Sequence, residues 1–377
     1  MIRKVLTISF IVAILSSCQK PLTNESSNNS LSQALGSESP ENSEFKKADK
    51  IIDFHFPQDH GAHKEFKSEW WYFTGNLESI DKKSFGYQLT IFRNALPKTK
   101  ESLKSKWSSD QVYMGHFGLS DISSNKFYSY EILEREALDL AGFNAAPFQV
   151  WTDDWQVKSL STNPAEIFPL QLKAFRDGVG IELIVKPAKP LVFQGNQGLS
   201  QKSIEKGNAS YYYSYTRLAT EGVITVNGKA YPVKGLSWMD REWSTSALAQ
   251  DQTGWNWYAL QLDNNHELMF YELRNKDGSI DQISSGTLVK PDGAKIKLDL
   301  KDIKIKILEY TTISERKYPS KWQINIPQED LNLEVKARMK NQEHNFSIPY
   351  WEGAVELKGI HKNQTVKGFG YIELTGY

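Results

Sequence analysis

Hydrophobic and polar residues alternate at period two in many short segments: Trp71 to Thr74, Phe85 to Phe92, Gly180 to Val185, Val223 to Val226, Trp257 to Leu262, Leu268 to Leu273 and Gly368 to Leu374. Alternation puts successive side chains on opposite faces of an extended chain, so these segments predict half-buried β-strands. Clusters of Gly, Asn, Asp and Lys between them read as turns. Helical periodicity is scarce, and Glu131 to Leu140 is the stretch where a helical turn or two is expected. The pattern as a whole predicts an all-β chain, folded as a sandwich or an up-and-down barrel.

Two of the predicted hairpins look alike. Trp70-Trp71-Tyr72-Phe73-Thr74-Gly75-Asn76-Leu77 leads through a turn to Gly86-Tyr87-Gln88-Leu89-Thr90-Ile91-Phe92-Arg93, and Trp257-Tyr258-Ala259-Leu260-Gln261-Leu262 leads through Asp263-Asn264-Asn265 to Glu267-Leu268-Met269-Phe270-Tyr271-Glu272-Leu273-Arg274. Each opens on tryptophan and closes on arginine. The pair suits two related β-domains in tandem, with chance resemblance between two hairpins as the alternative. The expected seam lies near Tyr211 to Gly222, giving domains at 51–215 and 216–377.

Composition narrows the setting. Lys plus Arg and Asp plus Glu both number 45, so no basic face advertises nucleic acid. The first residues carry Arg3 and Lys4, then the apolar run Val5 to Leu15, then Ser16-Ser17-Cys18. An eleven-residue helix covers about 16 Å, roughly half the hydrocarbon core of a bilayer, so the run is expected to be an export signal over residues 1–17, cleaved before Cys18. Cys18 is the single cysteine of the chain, which leaves its thiol free for acylation. The expectation is a lipoprotein anchored through Cys18, with Gln19 favouring the outer membrane of a Gram-negative cell. Residues 18–50 begin with a run of Ser, Asn, Glu and Gln that cannot bury enough apolar surface to fold, and are expected to be a tether.

Two groups of residues could carry chemistry. Glu69, beside Trp70 and Trp71, is a possible general acid if desolvation raises its pKa; the alternative is an ion pair with an arginine such as Arg93. The denser group is Trp238-Met239-Asp240-Arg241-Glu242-Trp243, followed by Trp255-Asn256-Trp257. On a strand, Trp238, Asp240 and Glu242 share one face while Met239, Arg241 and Trp243 share the other. Two carboxylates on one face push at least one pKa upward, which suits proton transfer; an ion-pair knot locking two domains is the alternative. His55, His60 and His63 match no stereotyped zinc spacing, so no metal and no cofactor is expected. Gly235-Leu236-Ser237-Trp238-Met239 lacks the second glycine of a nucleophile elbow, and no P-loop or dinucleotide motif appears.

The stretch Phe56 to Arg93, the run Tyr211 to Leu218, the block Gly235 to Leu273 and the ending Gly368 to Tyr377 resemble the AttH-like family, which is grouped with carotenoid 1,2-hydratases and often labelled secreted hydrolases or lipocalin-like proteins. The resemblance implies two lipocalin-like β-barrels packed together and a role tied to lipid or other hydrophobic molecules. Trp70, Trp71, Tyr72, Arg93, Trp238, Arg241, Trp243 and Trp257 are then the expected ligand-binding residues, with Asp240, Glu242 and Glu69 as candidate acids and bases. The expectation that follows is an envelope lipoprotein whose barrel interior holds an apolar ligand, linked to an ABC-type transporter, on the periplasmic side of the outer membrane. The competing expectation is an enzyme of hydratase or hydrolase type acting on that ligand, in which tryptophan faces stabilise a cation formed by carbon protonation.

Overall fold

The computed structural model describes residues 44–96, 105–106, 108–246 and 248–377; the expected export signal, Cys18 and all but the last residues of the expected tether lie outside them. Among the described residues the fold is nearly all-β, with only short 3₁₀ turns besides the strands. The first sheet comprises β1 (Ser68–Ser79), β2 (Ser84–Ala95), β3 (Gln111–Asp121), β4 (Lys126–Arg135), β5 (Ala141–Ala145), β6 (Phe148–Thr152), β7 (Trp155–Ser159), β8 (Leu170–Arg176), β9 (Val179–Pro187), β10 (Val192–Phe193), β11 (Leu199–Gln201), β12 (Ala209–Val226) and β13 (Lys229–Ser244). The second comprises β14 (Gln252–Leu262), β15 (Glu267–Asn275), β16 (Ser285–Val289), β17 (Lys295–Asp299), β18 (Lys304–Ile313), β19 (Arg316–Ile326), β20 (Leu331–Ala337), β21 (Glu343–His344), β22 (Tyr350–His361) and β23 (Gln364–Thr375).

The strand orders are β4-β3-β2-β1-β13-β12-β9-β8-β7-β6-β5 and β17-β16-β15-β14-β23-β22-β20-β19-β18. They share one plan: each sheet places its first strand against its last, and its first four strands run outward from there to an edge. The first sheet nearly closes into a barrel and the second forms a half-barrel, two tandem lipocalin-like domains. The two similar hairpins, β1-β2 and β14-β15, hold the same place in each sheet. The closing hairpins also correspond, since Asn227-Gly228 and Lys362-Asn363 both turn with positive φ at two successive residues, the geometry that suits a tight hairpin.

Two expectations need correction. The seam expected near Tyr211 to Gly222 falls inside β12, which pairs with β13 along its length; the chain passes to the second sheet between Ser244 and Gln252. Tyr-rich β12 and Trp-rich β13 are therefore the closing pair of the first domain, not the opening of the second. The stretch expected to show a helical turn is strand β4 as far as Arg135, because pairing with β3 satisfies its backbone; a turn with positive φ at Leu138 and Asp139 follows.

Alternation decides what lies inside each sheet. Trp71, Phe73, Leu89, Ile91, Phe117, Trp155 and Leu172 fill the first domain, and Tyr258, Leu260, Phe270, Trp322, Ile324 and Val355 fill the second, all at 0% exposure. Burying such a side chain contributes roughly 1.5–3 kcal/mol. The intervening residues of the same strands point outward, and on β1, β13, β14 and β23 they meet the other domain. A third apolar cluster joins Tyr72, Tyr212 and Trp238 of the first sheet to Trp257, Met269, Tyr271, Ala354 and Tyr371 of the second. Aromatic and aliphatic side chains line the interiors, and the chemically loaded residues of the two sheets face each other between the domains.

Candidate active site between the two barrels

Register fixes the site. Across the outer face of the first sheet, Ser214, Asp240, Tyr72, Thr90, His116 and Glu131 stand directly opposite one another on β12, β13, β1, β2, β3 and β4. Across the second sheet, Glu352, Glu373, Trp257, Tyr271 and Ser285 form the corresponding row on β22, β23, β14, β15 and β16. The Glu69–Arg93 and Gly254–Arg274 cross-strand pairs set the correspondence, and three residues further along Tyr72 matches Trp257. Asp240 lies opposite Tyr72 and Glu373 lies opposite Trp257, so the two carboxyls hold equivalent positions in the two domains.

The two rows make contact. Tyr72 Oη donates to Glu352 Oε1 at 2.6 Å, and Trp257 Nε1 donates to Tyr212 Oη at 3.2 Å, both across the domain boundary. The Trp257 ring meets Tyr72 and Trp238 edge-on, with centroids 5.2 and 6.2 Å away. Asp240 accepts from Tyr212 Oη at 2.6 Å, Ser214 Oγ at 2.5 Å and Trp238 Nε1 at 2.7 Å. Glu373 accepts from Trp255 Nε1 at 2.9 Å. Glu242 pairs with Lys202 Nζ at 3.0 Å, and that ammonium lies 4.3 Å from the Tyr271 ring centroid. Trp70, Trp255 and Glu373 are only half-buried and mark the edge where the cluster meets solvent.

These carboxyls sit where charge is costly. Burial pushes the Asp240 carboxyl up to about 7, with the Glu242 charge adding to it, although the bonds from Ser214, Tyr212 and Trp238 favour the ionised form. Glu373 is likewise pushed up to about 7 by burial and by Glu242 and Asp240. Glu352 is raised well above the usual carboxyl range, by burial first and then by Glu373 directly across the strand pair. Burial pulls Lys202 down, but Glu242 outweighs it and holds the ammonium charged. The interface thus holds carboxyls that keep protons near neutral pH, walled by indole and phenol rings.

The residues expected at the site separate into two groups. Asp240, Glu242, Tyr72, Trp238 and Trp257 gather between the domains, with Trp70 at the edge. Glu69, Arg93, Arg241, Trp71 and Trp243 belong to a second cluster on the other face of the same strands. There the Glu69 carboxylate is bonded by both Arg93 and Arg241. The Arg241 guanidinium lies 4.0 Å from the Trp71 ring centroid, and the His63 ring stacks on Trp243 at 3.8 Å. Burial would raise the Glu69 carboxyl, but the two arginines hold it well below the usual range. Glu69, Arg93 and Arg241 are each 0% exposed. The alternative ion pair with Arg93 is thus present, joined by a second arginine, Arg241. Sequence reasoning missed Tyr212, Ser214, Lys202, Glu352 and Glu373 as site residues; the hairpin repeat, carried across to the closing strands, was the signal for Glu373.

A crystal structure of a Nitrosomonas europaea protein described as an AttH is similar over 88% of this chain and 100% of its own, with TM-score 0.78 and 29% identity. A dehydratase of Emericella nidulans is 24% identical over 198 residues, 49% of this chain and 55% of its own length. The kievitone hydratase of Fusarium solani subsp. phaseoli is 22% identical over 176 residues, 44% of this chain and 49% of its own. The chain thus spans about half the length of the curated relatives it matches. The AttH-like family model matches residues 47–377, the two sheets and the interface between them, and the chain belongs to the AttH-like family.

Proposed function

We propose that the chain is a lyase of the hydratase or dehydratase type, moving water onto or off an apolar molecule held between the two barrels. The observation that carries this reading is the pair of equivalent carboxyls, Asp240 and Glu373, both pushed up to about 7 among aromatic rings. Water addition needs one group to give a proton to carbon and another to take a proton from water, each poised near the working pH. Glu373, opposite Glu352 and with one donor, is the proton source. Asp240, with three donors that favour its charged form, is the base. The faces of Trp257 and Trp238 and the ring of Tyr72 stabilise positive charge developing on the substrate. In the reverse direction the same groups protonate a leaving hydroxyl and remove a proton from the neighbouring carbon. The hydratase and dehydratase relatives support this class of chemistry.

The setting we propose is the cell envelope, with the chain held to the membrane through acylated Cys18, on the periplasmic side of the outer membrane. There the apolar molecule comes from the lipid phase or from an ABC-type transporter. Radiolabelled fatty acid incorporated by the wild type and not by Cys18→Ser tests the anchor.

The test of the reaction uses the chain from Glu44 onward, purified without detergent, with its co-purifying apolar molecule identified by mass spectrometry. Incubation in water enriched in oxygen-18 should place the heavy isotope in that molecule. Asp240→Asn and Glu373→Gln should bind it and leave it unlabelled. Stoichiometric binding without label in the wild type would make the protein a carrier, and absence of any bound or bindable apolar molecule would remove both readings.

A further inference from the structure

The same polar row that holds Asp240 continues past Tyr72 and Thr90 to His116 and Glu131, at the edge of the first sheet. Nothing in the acid–base reading uses these last two residues, yet they are bonded in series to the second domain. His116 Nδ1 lies 2.8 Å from Tyr350 Oη, and His116 Nε2 lies 3.2 Å from Glu131 Oε1. Tyr350 stands two residues before Glu352 on β22, so both side chains leave the same face of that strand. His116 is buried between Phe92, at 5.1 Å between ring centroids, and Phe346, at 4.5 Å. Glu131 keeps 27% of its side chain exposed, accepts from Ser347 Oγ at 3.0 Å, and lines a crevice of about 1440 Å³ between the domains.

We propose that Glu131, His116 and Tyr350 form a proton relay connecting the carboxyls between the barrels to solvent in that crevice. The inference rests on the acid–base reading above, because that reading creates the need. Each water addition takes a proton from Glu373 and loads one on Asp240, so a turnover ends with the two groups in each other's protonation state. A path to solvent resets them. In the resting arrangement Tyr350 O–H donates to His116 Nδ1, and Nε2–H donates to the Glu131 carboxylate. Outward, a proton arriving from the Glu352 side reaches the Tyr350 hydroxyl as Tyr350 passes its own to Nδ1, and the imidazole releases its Nε2 proton to Glu131 and thence to the crevice. Inward, the same bonds carry a proton the other way, so one proton enters at one end for each that leaves at the other. Burial keeps the His116 ring below its usual pKa despite Glu131, which leaves it neutral and able to accept. The titratable groups facing His116 are Glu131 on β4, and Tyr350 and His344 from the second domain, His344 itself held neutral by burial.

The relay is testable without a substrate. The carbonyl stretch of protonated carboxyls is followed by infrared spectroscopy at pH 6 on the chain from Glu44 onward, and Glu352→Gln and Glu373→Gln identify its bands. On rapid transfer into heavy water, these bands should shift as the protons exchange. His116→Gln, which keeps a hydrogen-bonding side chain but cannot pass a proton, and Tyr350→Phe should slow that exchange at least tenfold and leave the band intensity intact. Glu131→Gln, at the exposed end, should slow it less and serves if either buried variant fails to fold. Equal exchange rates in wild type and variants would overturn the relay while leaving the acid–base reading standing. Absence of the bands from the wild type at pH 6 would overturn the acid–base reading itself.

Discussion

Replacing Asp240 with asparagine should make the folded protein more stable in alkali than the wild type, and the gain should vanish in acid. In the native state the carboxyl is 3% exposed and titrates near 7, while in the unfolded chain it titrates near 3.8. A group whose folded pKa is raised contributes stability that is fully present below the unfolded pKa and is lost as pH rises through the folded one. Here the loss runs from about pH 4 to pH 7 at about 1.4 kcal/mol per pH unit, about 4 kcal/mol in all, and is flat above. Asparagine has no such slope. Its own cost is about 1–2 kcal/mol, because its amide nitrogen replaces the oxygen that accepts from Tyr212, while Ser214 and Trp238 still find an acceptor. Between pH 5 and pH 8 the variant should therefore gain about 3 kcal/mol on the wild type. With about 2 cal/mol/K of unfolding entropy per residue over the folded domains, that is roughly 4 °C in the difference of melting temperatures, read by calorimetry at the two pH values. A difference that is constant between pH 5 and pH 8, or that grows toward acid, would refute the reasoning.

Three other outcomes follow from particular contacts. Glu69→Gln should destabilise the first domain by about 3–5 kcal/mol in denaturant titration, since it strands Arg93 and Arg241 without their carboxylate. Because the Glu69 carboxyl is held low, its stabilisation is present above pH 4.5 and lost as pH falls below it, so the variant's deficit should shrink in acid. Tyr212→Phe removes a donor from Asp240 and the acceptor of Trp257, and should move the alkaline-side infrared titration of the buried carboxyls upward by about half a pH unit or more. Gly118→Ala should cost about 1–3 kcal/mol and loosen the domain interface, because a β-carbon there would lie 2.7 Å from His344 Cε1 across the boundary. Faster proteolysis near residues 339–349 would report that loosening.

The strands were legible in the sequence because one face of each is buried, and burial of one face imposes alternation whatever the partner. The hairpin resemblance was legible for the same reason, and so was Glu69 meeting Arg93, which stand at the start and end of one hairpin. What the alternation does not say is where each outer face goes. Asp240 and Glu242 were placed on one face together, as found, but their neighbours Ser214 and Tyr212 come from β12, a strand the seam expectation had divided between two domains. Glu352 and Glu373 are separated from Asp240 by more than a hundred residues and reach it only through closure of the second sheet and packing of one sheet on the other. Lys202 lies just after the short strand β11 and carries no periodic signal. Arg241 falls on the face opposite Asp240 and Glu242, as alternation requires, but alternation alone does not say that Glu69 of β1 is what it meets there.

The likeness of the two domains accounts for both the site and its asymmetry. Two like barrels, packed through the outer faces of their first and last strands, bring the rows that carry equivalent positions together, and both rows hold a carboxyl at that position, Asp240 in one and Glu373 in the other. Identical surroundings would give the two carboxyls the same tendency to hold a proton, and neither would be committed to giving or taking one. The surroundings differ. Where the first sheet has Ser214 beside its carboxyl, the second has Glu352; where the first has Tyr72, the second has Trp257. A hydroxyl neighbour donates a bond and favours charge, whereas a carboxyl neighbour disfavours a second charge and leaves a proton shared. Exchanging these two neighbours by the double change Ser214→Glu and Glu352→Ser should therefore raise the titration of Asp240 and lower that of Glu373. Infrared titration combined with Asp240→Asn in that background distinguishes this from an interface in which the acid and base roles are set elsewhere, where the exchange would leave the order of titration as it was.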